Sequence, residues 1–280
     1  MSFNFIVFCF VLWNFMFVDG ESNDNNYVLM HIAKTGGVTA NSVLAPLLDT
    51  NMCTGNRFYG DVAGVLRVLN PSSEYGVFTR DCHILTYEAK FAELERWLSG
   101  YDIDDSRYRL LSIVRNPVSH WFSAWQHMYN KRKVRRGDDW HDIATTFEGL
   151  VEQLEQDFVA HYNLRSFQMN FFGTSVASAL RRLRNTYWFG LTEEMTLSYG
   201  LLQCQVFGEA DLSIVKQLTA RKHNVADNFK YVISADLLKR LQKMNVDEMR
   251  FYELTVAEFW MRVRQHGRCL AEAGFIDPEL

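Results

Sequence analysis

The sequence predicts an α/β fold, a P-loop-like central parallel sheet flanked by helices, with a helix-rich C-terminal half. Three observations predict it. Apolar runs of strand length alternate with amphipathic stretches of helical length as far as Leu191. Two of the strand-to-helix junctions carry residues suited to holding an anion, and from Thr145 onward the pattern is mostly helical. With 280 residues, 48% of them hydrophobic, and no internal repeat or interdomain linker, residues 27–280 read as a single domain with one core.

The elements follow in order. Residues 3–18 carry no charge and are rich in Phe, which fits a secretory signal sequence or a signal anchor over 1–18, with 19–26 as a polar linker. No Lys or Arg flanks the run to orient it, so cleavage and anchoring are both open, and membrane association would come through this segment if it is kept. Strands are predicted near 27–31, 76–79, 109–114 and 187–191. Helices are predicted near 39–48, 89–99 and 117–131, then at 147–156, 175–184, 193–207, 235–243 and 246–269.

Composition narrows the function classes. A net charge of -4 gives no general attraction for nucleic acid, and any polyanion would have to meet the local basic run at 131–136, which serves equally as a solvated surface. Cys9 lies in the apolar leader, leaving Cys53, Cys82, Cys204 and Cys269, an even set that an oxidising lumen could bridge in any of three pairings. There is no Cys-x-x-Cys and no His-Glu-x-x-His, and His120 and His127 lack a third ligand, so no metal site is expected. Proline disqualifies the single glycosylation-like triplet, Asn70-Pro71-Ser72.

Residues 31–39 read His-Ile-Ala-Lys-Thr-Gly-Gly-Val-Thr, directly after the first strand and before the first helix. A short loop with two glycines can turn its N–H groups inward. The helix beyond adds the positive end of its dipole and unsatisfied donors, which makes an anion cradle with Lys34 as the point charge. A plain tight turn would use the same residues. A Walker A loop places glycine before Lys-Ser/Thr, whereas here Lys34 and Thr35 precede Gly36 and Gly37, which argues against an ordinary ATPase.

Residues 110–125 form the second junction. Leu110 to Val114 is an apolar strand run, Asn116 suits an N-cap and Pro117 the first helical position. Arg115 is left at the strand's carboxyl end, the edge where ligands bind in open α/β sheets, and Ser123 lies about two helical turns on. The two could hold one phosphate between them. A capped helix with a solvated arginine is the structural alternative.

The Lys-Thr-Gly-Gly loop, the strand-Arg-Asn-Pro junction and a serine eight residues after the arginine together resemble the cofactor-binding elements of sulfotransferases. Those enzymes use 3′-phosphoadenosine 5′-phosphosulfate (PAPS) and release adenosine 3′,5′-bisphosphate (PAP). The chain is most similar to the membrane-associated carbohydrate branch, which includes heparan sulfate 2-O- and 6-O-sulfotransferases and galactose 3-O-sulfotransferases. Residues 81–88, Asp-Cys-His-Ile-Leu-Thr-Tyr-Glu, resemble the segment carrying the catalytic histidine. Residues 188–194, Trp-Phe-Gly-Leu-Thr-Glu-Glu, resemble the strand and turn after the substrate loops, and 250–260 the closing helix. Residues 160–165 and that helix are closest to the galactose 3-O group. The Gly36-Gly37 pair departs from it and looks like the 6-O group.

The resemblance implies sulfuryl transfer from PAPS to a carbohydrate hydroxyl on a glycan or glycolipid, in the Golgi lumen, with galactose 3-O-sulfation ahead of heparan sulfate 2-O- or 6-O-sulfation. Lys34, Thr35, Gly36, Gly37, Val38 and Thr39 would surround the 5′-phosphate and sulfate. Arg115 and Ser123 would take the 3′-phosphate, and Arg221-Lys222 would close over the nucleotide. His83, read as following the strand at 76–79, would take the acceptor proton, with Lys34 as the second catalytic group and Glu88 as a substrate contact or second base. Trp121, Trp125, Trp140 and Tyr162 offer flat faces to a sugar, although at helical spacing at least half should be core, and His127, Lys131 and Arg132 are placed to meet an acidic acceptor. Two other classes stand beside this one: a nucleotide-dependent kinase, approximated only by Lys34-Thr35, and a catalytically silent glycan-binding protein of the same fold.

Overall fold

The computed structural model describes residues 26–50, 52–59, 83–88, 90–91, 108–134, 145–156, 167–220 and 233–278. The sheet has five strands in the order β2-β3-β1-β4-β5, all parallel. These are β1 (Asn26–Met30), β2 (Met52–Tyr59), β3 (Ile84–Glu88), β4 (Tyr108–Val114) and β5 (Trp188–Leu191). Buried on both faces, a parallel strand reads as a continuous apolar run. The buried stretch from Tyr27 to Met30 and the run through Ile113 and Val114 obey that rule. The chain leaves β1 toward β2 on one side and β4 toward β5 on the other, so the strand order switches between β1 and β4. Open α/β sheets bind ligands in the crevice at such a point.

Helix α1 (Gly37–Leu47) follows β1 and α2 (Pro117–Val134) follows β4. The second half adds α3 (Phe147–Glu155), α4 (Phe167–Phe172), α5 (Val176–Asn185), α6 (Met195–Phe207), α7 (Leu212–Ala220), α8 (Ala235–Met244), α9 (Val246–Gln265) and α10 (Gly267–Glu272). Side chains of Thr146, Ser175 and Ser234 cap α3, α5 and α8. The main core packs β1, β4 and β5 against α1, α6 and α9, with Trp188, Phe189, Phe251 and Phe259 fully buried. A second cluster joins α2, α3 and α8 through Trp121, Trp125, Phe147 and Leu241, so these two tryptophans are core, not sugar platforms. Trp140 and Tyr162 lie outside the described residues.

Several expectations change. β2 was not expected, since Met-Cys-Thr-Gly-Asn-Arg-Phe-Tyr is an irregular edge sequence with neither an apolar run nor alternation, and its register with β3 shifts between Met52 and Arg57. The predicted strand at 76–79 and most of the helix at 89–99 lie outside the described residues, while a strand not foreseen runs from Ile84 to Glu88. The predicted helix at 246–269 divides at His266 into α9 and α10, and 193–207 opens as a 3-10 turn, Thr192–Glu194, before α6. Cys204 on α6 is bridged to Cys269 on α10, selecting one partner for each from the pairings left open. No helix among the described residues is long and apolar enough to cross a membrane; residues 3–18 lie outside them.

Candidate anion site at the carboxyl edge of the sheet

The loop from His31 to Gly36 rises from the carboxyl end of β1. Two of its residues sit in left-handed backbone, Lys34 at φ 68° and Gly36 at φ 95°. Glycine adopts this region at no steric cost, whereas Lys34 does so only because its surroundings hold it there. A Cβ on Gly36 would also approach Met195 Cε to 2.9 Å. The carboxyl side of the loop is built differently from the reading of two equivalent glycines: Gly36 makes the turn, while Gly37, Val38 and Thr39 form the first turn of α1.

Three successive carbonyls of this loop are held by side chains from outside it. Ala33 O accepts from His120 Nε2 at 2.8 Å, Lys34 O from Arg115 Nη1 at 3.0 Å, and Thr35 O from Thr192 Oγ1 at 2.6 Å. A carbonyl can only accept, so Nε2 is the protonated nitrogen of His120. Thr35 is buried and folds its own hydroxyl back to Ile32 O at 2.8 Å. With the carbonyls fixed on the protein side, the N-terminus of α1 supplies the remaining polarity. It has no side-chain cap and no acidic residue in its first turn, so its orphan N–H groups and dipole favour an external anion.

Arg115 stands just beyond β4. Its guanidinium makes one hydrogen bond among the described residues, to Lys34 O, and its buried Nε–H has no partner there. Burial lowers the arginine's pKa, and the nearby Glu193 carboxylate opposes that shift. A buried donor with nothing to bind is costly, and an anion would satisfy it. Asn116 caps α2 as expected, its Oδ1 accepting from Val118 N at 3.0 Å and Ser119 N at 3.3 Å. Ser123 lies half-buried on α2, on the same open stripe as Ser119 and the exposed His127. His120 faces the loop instead: burial, with the Arg115 and Lys34 charges adding, pushes its pKa down to about 4 against the opposing bond to Ala33 O.

His83 does not join this group. It precedes β3, its carbonyl accepts from Tyr27 N at 2.7 Å, and its Nδ1 lies 3.0 Å from Asn26 Oδ1 at the start of β1. That is the amino edge of the sheet. At roughly 3.3 Å per residue the length of β1 separates it from Lys34 by on the order of 15 Å. The strand expected at 76–79 lies outside the described residues, and the described strand β3 begins at Ile84, directly after His83. Glu88, the last residue of β3, stands at the carboxyl edge, one residue beyond the Met30–Tyr87 pair and so level with the loop. Arg221 and Lys222 lie outside the described residues, as do 135–136 of the basic run. Among the described residues no group of His, Cys, Asp or Glu could hold a metal ion.

Thr192, Gln168 and Glu193 were not singled out. Thr192 and Glu193 lie in the 188–194 segment that carries the resemblance, but Gln168 sits in a short helix with no local signal. Oε1 of Gln168 accepts from Arg115 N and its Nε2 donates to Arg115 O, both at 2.8 Å.

No family model matches the chain, and neither does any curated protein sequence. Among solved structures the chain is similar to the crystal structure of a sulfotransferase from Alicyclobacillus acidocaldarius, with 14% sequence identity, 83% of this chain and 96% of that one covered, and a TM-score of 0.47.

Proposed function

We propose that the chain is a sulfotransferase that moves a sulfuryl group from PAPS to a carbohydrate hydroxyl, releasing PAP. The observation that carries this reading is the row of carbonyls at Ala33, Lys34 and Thr35, each tied back by a side chain, beside an uncapped helix terminus and an arginine with an unsatisfied buried donor. Two anion-binding groups of this kind, on adjacent strands at a switch point, suit a nucleotide with phosphates on both the 5′ and 3′ positions. Lys34, Thr35, Gly36, Gly37, Val38 and Thr39 would hold the 5′-phosphosulfate. Arg115 and Ser123 would hold the 3′-phosphate, and Arg221 and Lys222 would close over the nucleotide.

Glu88 replaces His83 as the proposed base, because it shares the sheet edge with the loop. Its carboxylate would accept the proton of the acceptor hydroxyl as that oxygen forms a bond to sulfur. The bond from sulfur to the bridging oxygen breaks at the same time, its electron pair passing to the 5′-phosphate, where the Lys34 ammonium and the α1 dipole would stabilise the new charge.

The proposed acceptor is a terminal galactose on a glycolipid or glycoprotein, favoured by the resemblance of 160–165 and 250–260. An oxidising secretory compartment, most simply the Golgi lumen, fits both the apolar leader and the Cys204–Cys269 bridge. The assay is transfer of labelled sulfate from PAPS to galactosylceramide, lactosamine and desulfated heparan at two salt concentrations. Labelling of the galactosides with little salt dependence is expected. Labelling of heparan alone, with strong salt sensitivity and dependence on residues 131–136, would move the acceptor to a glycosaminoglycan, and no labelled glycan with a labelled small phenol would end the carbohydrate reading.

A further inference from the structure

Glu248, in the first turn of α9, is a carboxylate with no exposed surface. It accepts from Gln168 N and Gln168 Nε2, each at 3.1 Å, and from Met169 N at 3.0 Å. Burying a carboxylate is costly unless its oxygens are bonded, and here the donors are two first-turn N–H groups of α4 and one side-chain amide. That amide is the clamp on Arg115, bonded to both the N–H and the carbonyl of a residue that lies past the end of β4 and has no ladder partner. The chain of contacts thus runs from α9 through Gln168 to the backbone of the arginine and on to Lys34 O.

A second chain of contacts leaves the same face of α9, one turn along. The Tyr252 hydroxyl donates to Glu193 Oε2 at 3.0 Å, and Glu193 Oε1 accepts from Asn116 N at 2.9 Å. Two consecutive residues of the β4–α2 turn are therefore gripped from one helix through two side-chain bridges.

We propose that α9 is the positioning element for 3′-phosphate recognition: Glu248 through Gln168, and Tyr252 through Glu193, set the backbone of Arg115 and Asn116 and so aim the Arg115 guanidinium at the donor's 3′-phosphate. This rests on the sulfuryl-transfer reading. Gln168 and Glu248 are positioning residues and touch no ligand themselves. With the clamp released, Arg115 keeps its charge but loses its aim. The 3′-phosphate then suffers while the 5′-phosphate, bound by the loop and α1, does not.

The readout is the ratio of affinities for PAP and AMP, measured by titration calorimetry on the full chain, with the melting temperature checking the fold. Gln168→Leu is expected to lower that ratio by roughly tenfold or more with AMP affinity within about threefold of the parent. Glu248→Gln, which keeps an acceptor for the Gln168 N–H groups, should retain more of the ratio than Glu248→Ala. Tyr252→Phe removes only an exposed hydroxyl contact, should fold in any case, and is expected to cost about threefold in the ratio. An unchanged ratio in folded Gln168→Leu overturns the proposal, as does an equal weakening of both nucleotides; if that variant does not fold, an unchanged ratio in Tyr252→Phe overturns it. A parent protein with no preference for PAP would instead overturn the sulfuryl-donor reading.

Discussion

Arg115 Nη1 donates to the Lys34 carbonyl across 3.0 Å, and that bond joins the two strand-to-helix junctions proposed to bind anions, at the switch point between β1 and β4. The same bond turns the Lys34 carbonyl toward the protein, in a residue held at φ 68°. One donor of the arginine is thereby spent on the loop, and its remaining donors are the ones proposed for the 3′-phosphate. A residue with both duties should not tolerate lysine, which lacks the planar fork.

Lys34→Ala should weaken PAP binding and lower turnover together, the latter by roughly 10²–10³-fold, as when a preorganised donor to developing charge is removed. Titration calorimetry beside the transfer assay separates the two effects. Full turnover in Lys34→Ala would place the charge stabilisation elsewhere.

Glu88→Gln should lower kcat by roughly 10²–10⁴-fold with nucleotide affinity nearly unchanged, the signature of a lost general base. His83→Ala, at the amino edge beside Asn26, should leave kcat close to the parent value. The opposite pattern would restore His83 as the base.

Thr192→Val should destabilise the fold by about 1–2 kcal/mol and weaken both PAP and AMP, because it strips the hydroxyl that serves Thr35 O at 2.6 Å and Val114 O at 3.3 Å. Thermal unfolding with and without nucleotide measures both effects. An unaltered melting temperature would show that water replaces the hydroxyl at no cost.

Two buried groups give stability opposite slopes with pH. His120, shifted by burial from 6.5 to about 4, stabilises the fold above pH 6.5, and this contribution is lost as pH falls through 4. Glu248, shifted upward by burial from 4.5 to about 7, contributes below pH 4.5, and its contribution is lost as pH rises through 7. The advantage of the parent over His120→Gln should therefore shrink on acidification, and its advantage over Glu248→Gln should shrink as pH rises. Melting temperatures across pH 4 to 8 test both signs, and differences that do not vary with pH would contradict them.

How much of this was legible in the sequence differed by element. β1 and β5 are mainly apolar, β4 carries an apolar stretch broken only by Ser112, and the junctions at Lys34 and Arg115 carry their own turn and capping chemistry, so local pattern sufficed. β2 is a polar edge strand and β3 a five-residue segment whose neighbours carry no clear turn signal, so nothing local marks His83 as the residue just before a strand, at its amino end. Nothing in a helix's periodicity tells which buried polar residue meets a loop 87 positions away, so the sequence alone does not point His120 at the Ala33 carbonyl. Gln168 and Glu248 are 80 positions apart and acquire meaning only once α4 and α9 have packed.

The most direct test of the central claim is calorimetric titration of the purified chain with PAP, AMP and ATP under identical salt. PAP is expected to bind more than about tenfold tighter than AMP, with Arg115→Ala removing most of the difference, since charge-assisted contacts to the 3′-phosphate are the only distinction between the two ligands. Equal affinity for PAP and AMP, or a magnesium-dependent preference for ATP, would contradict it.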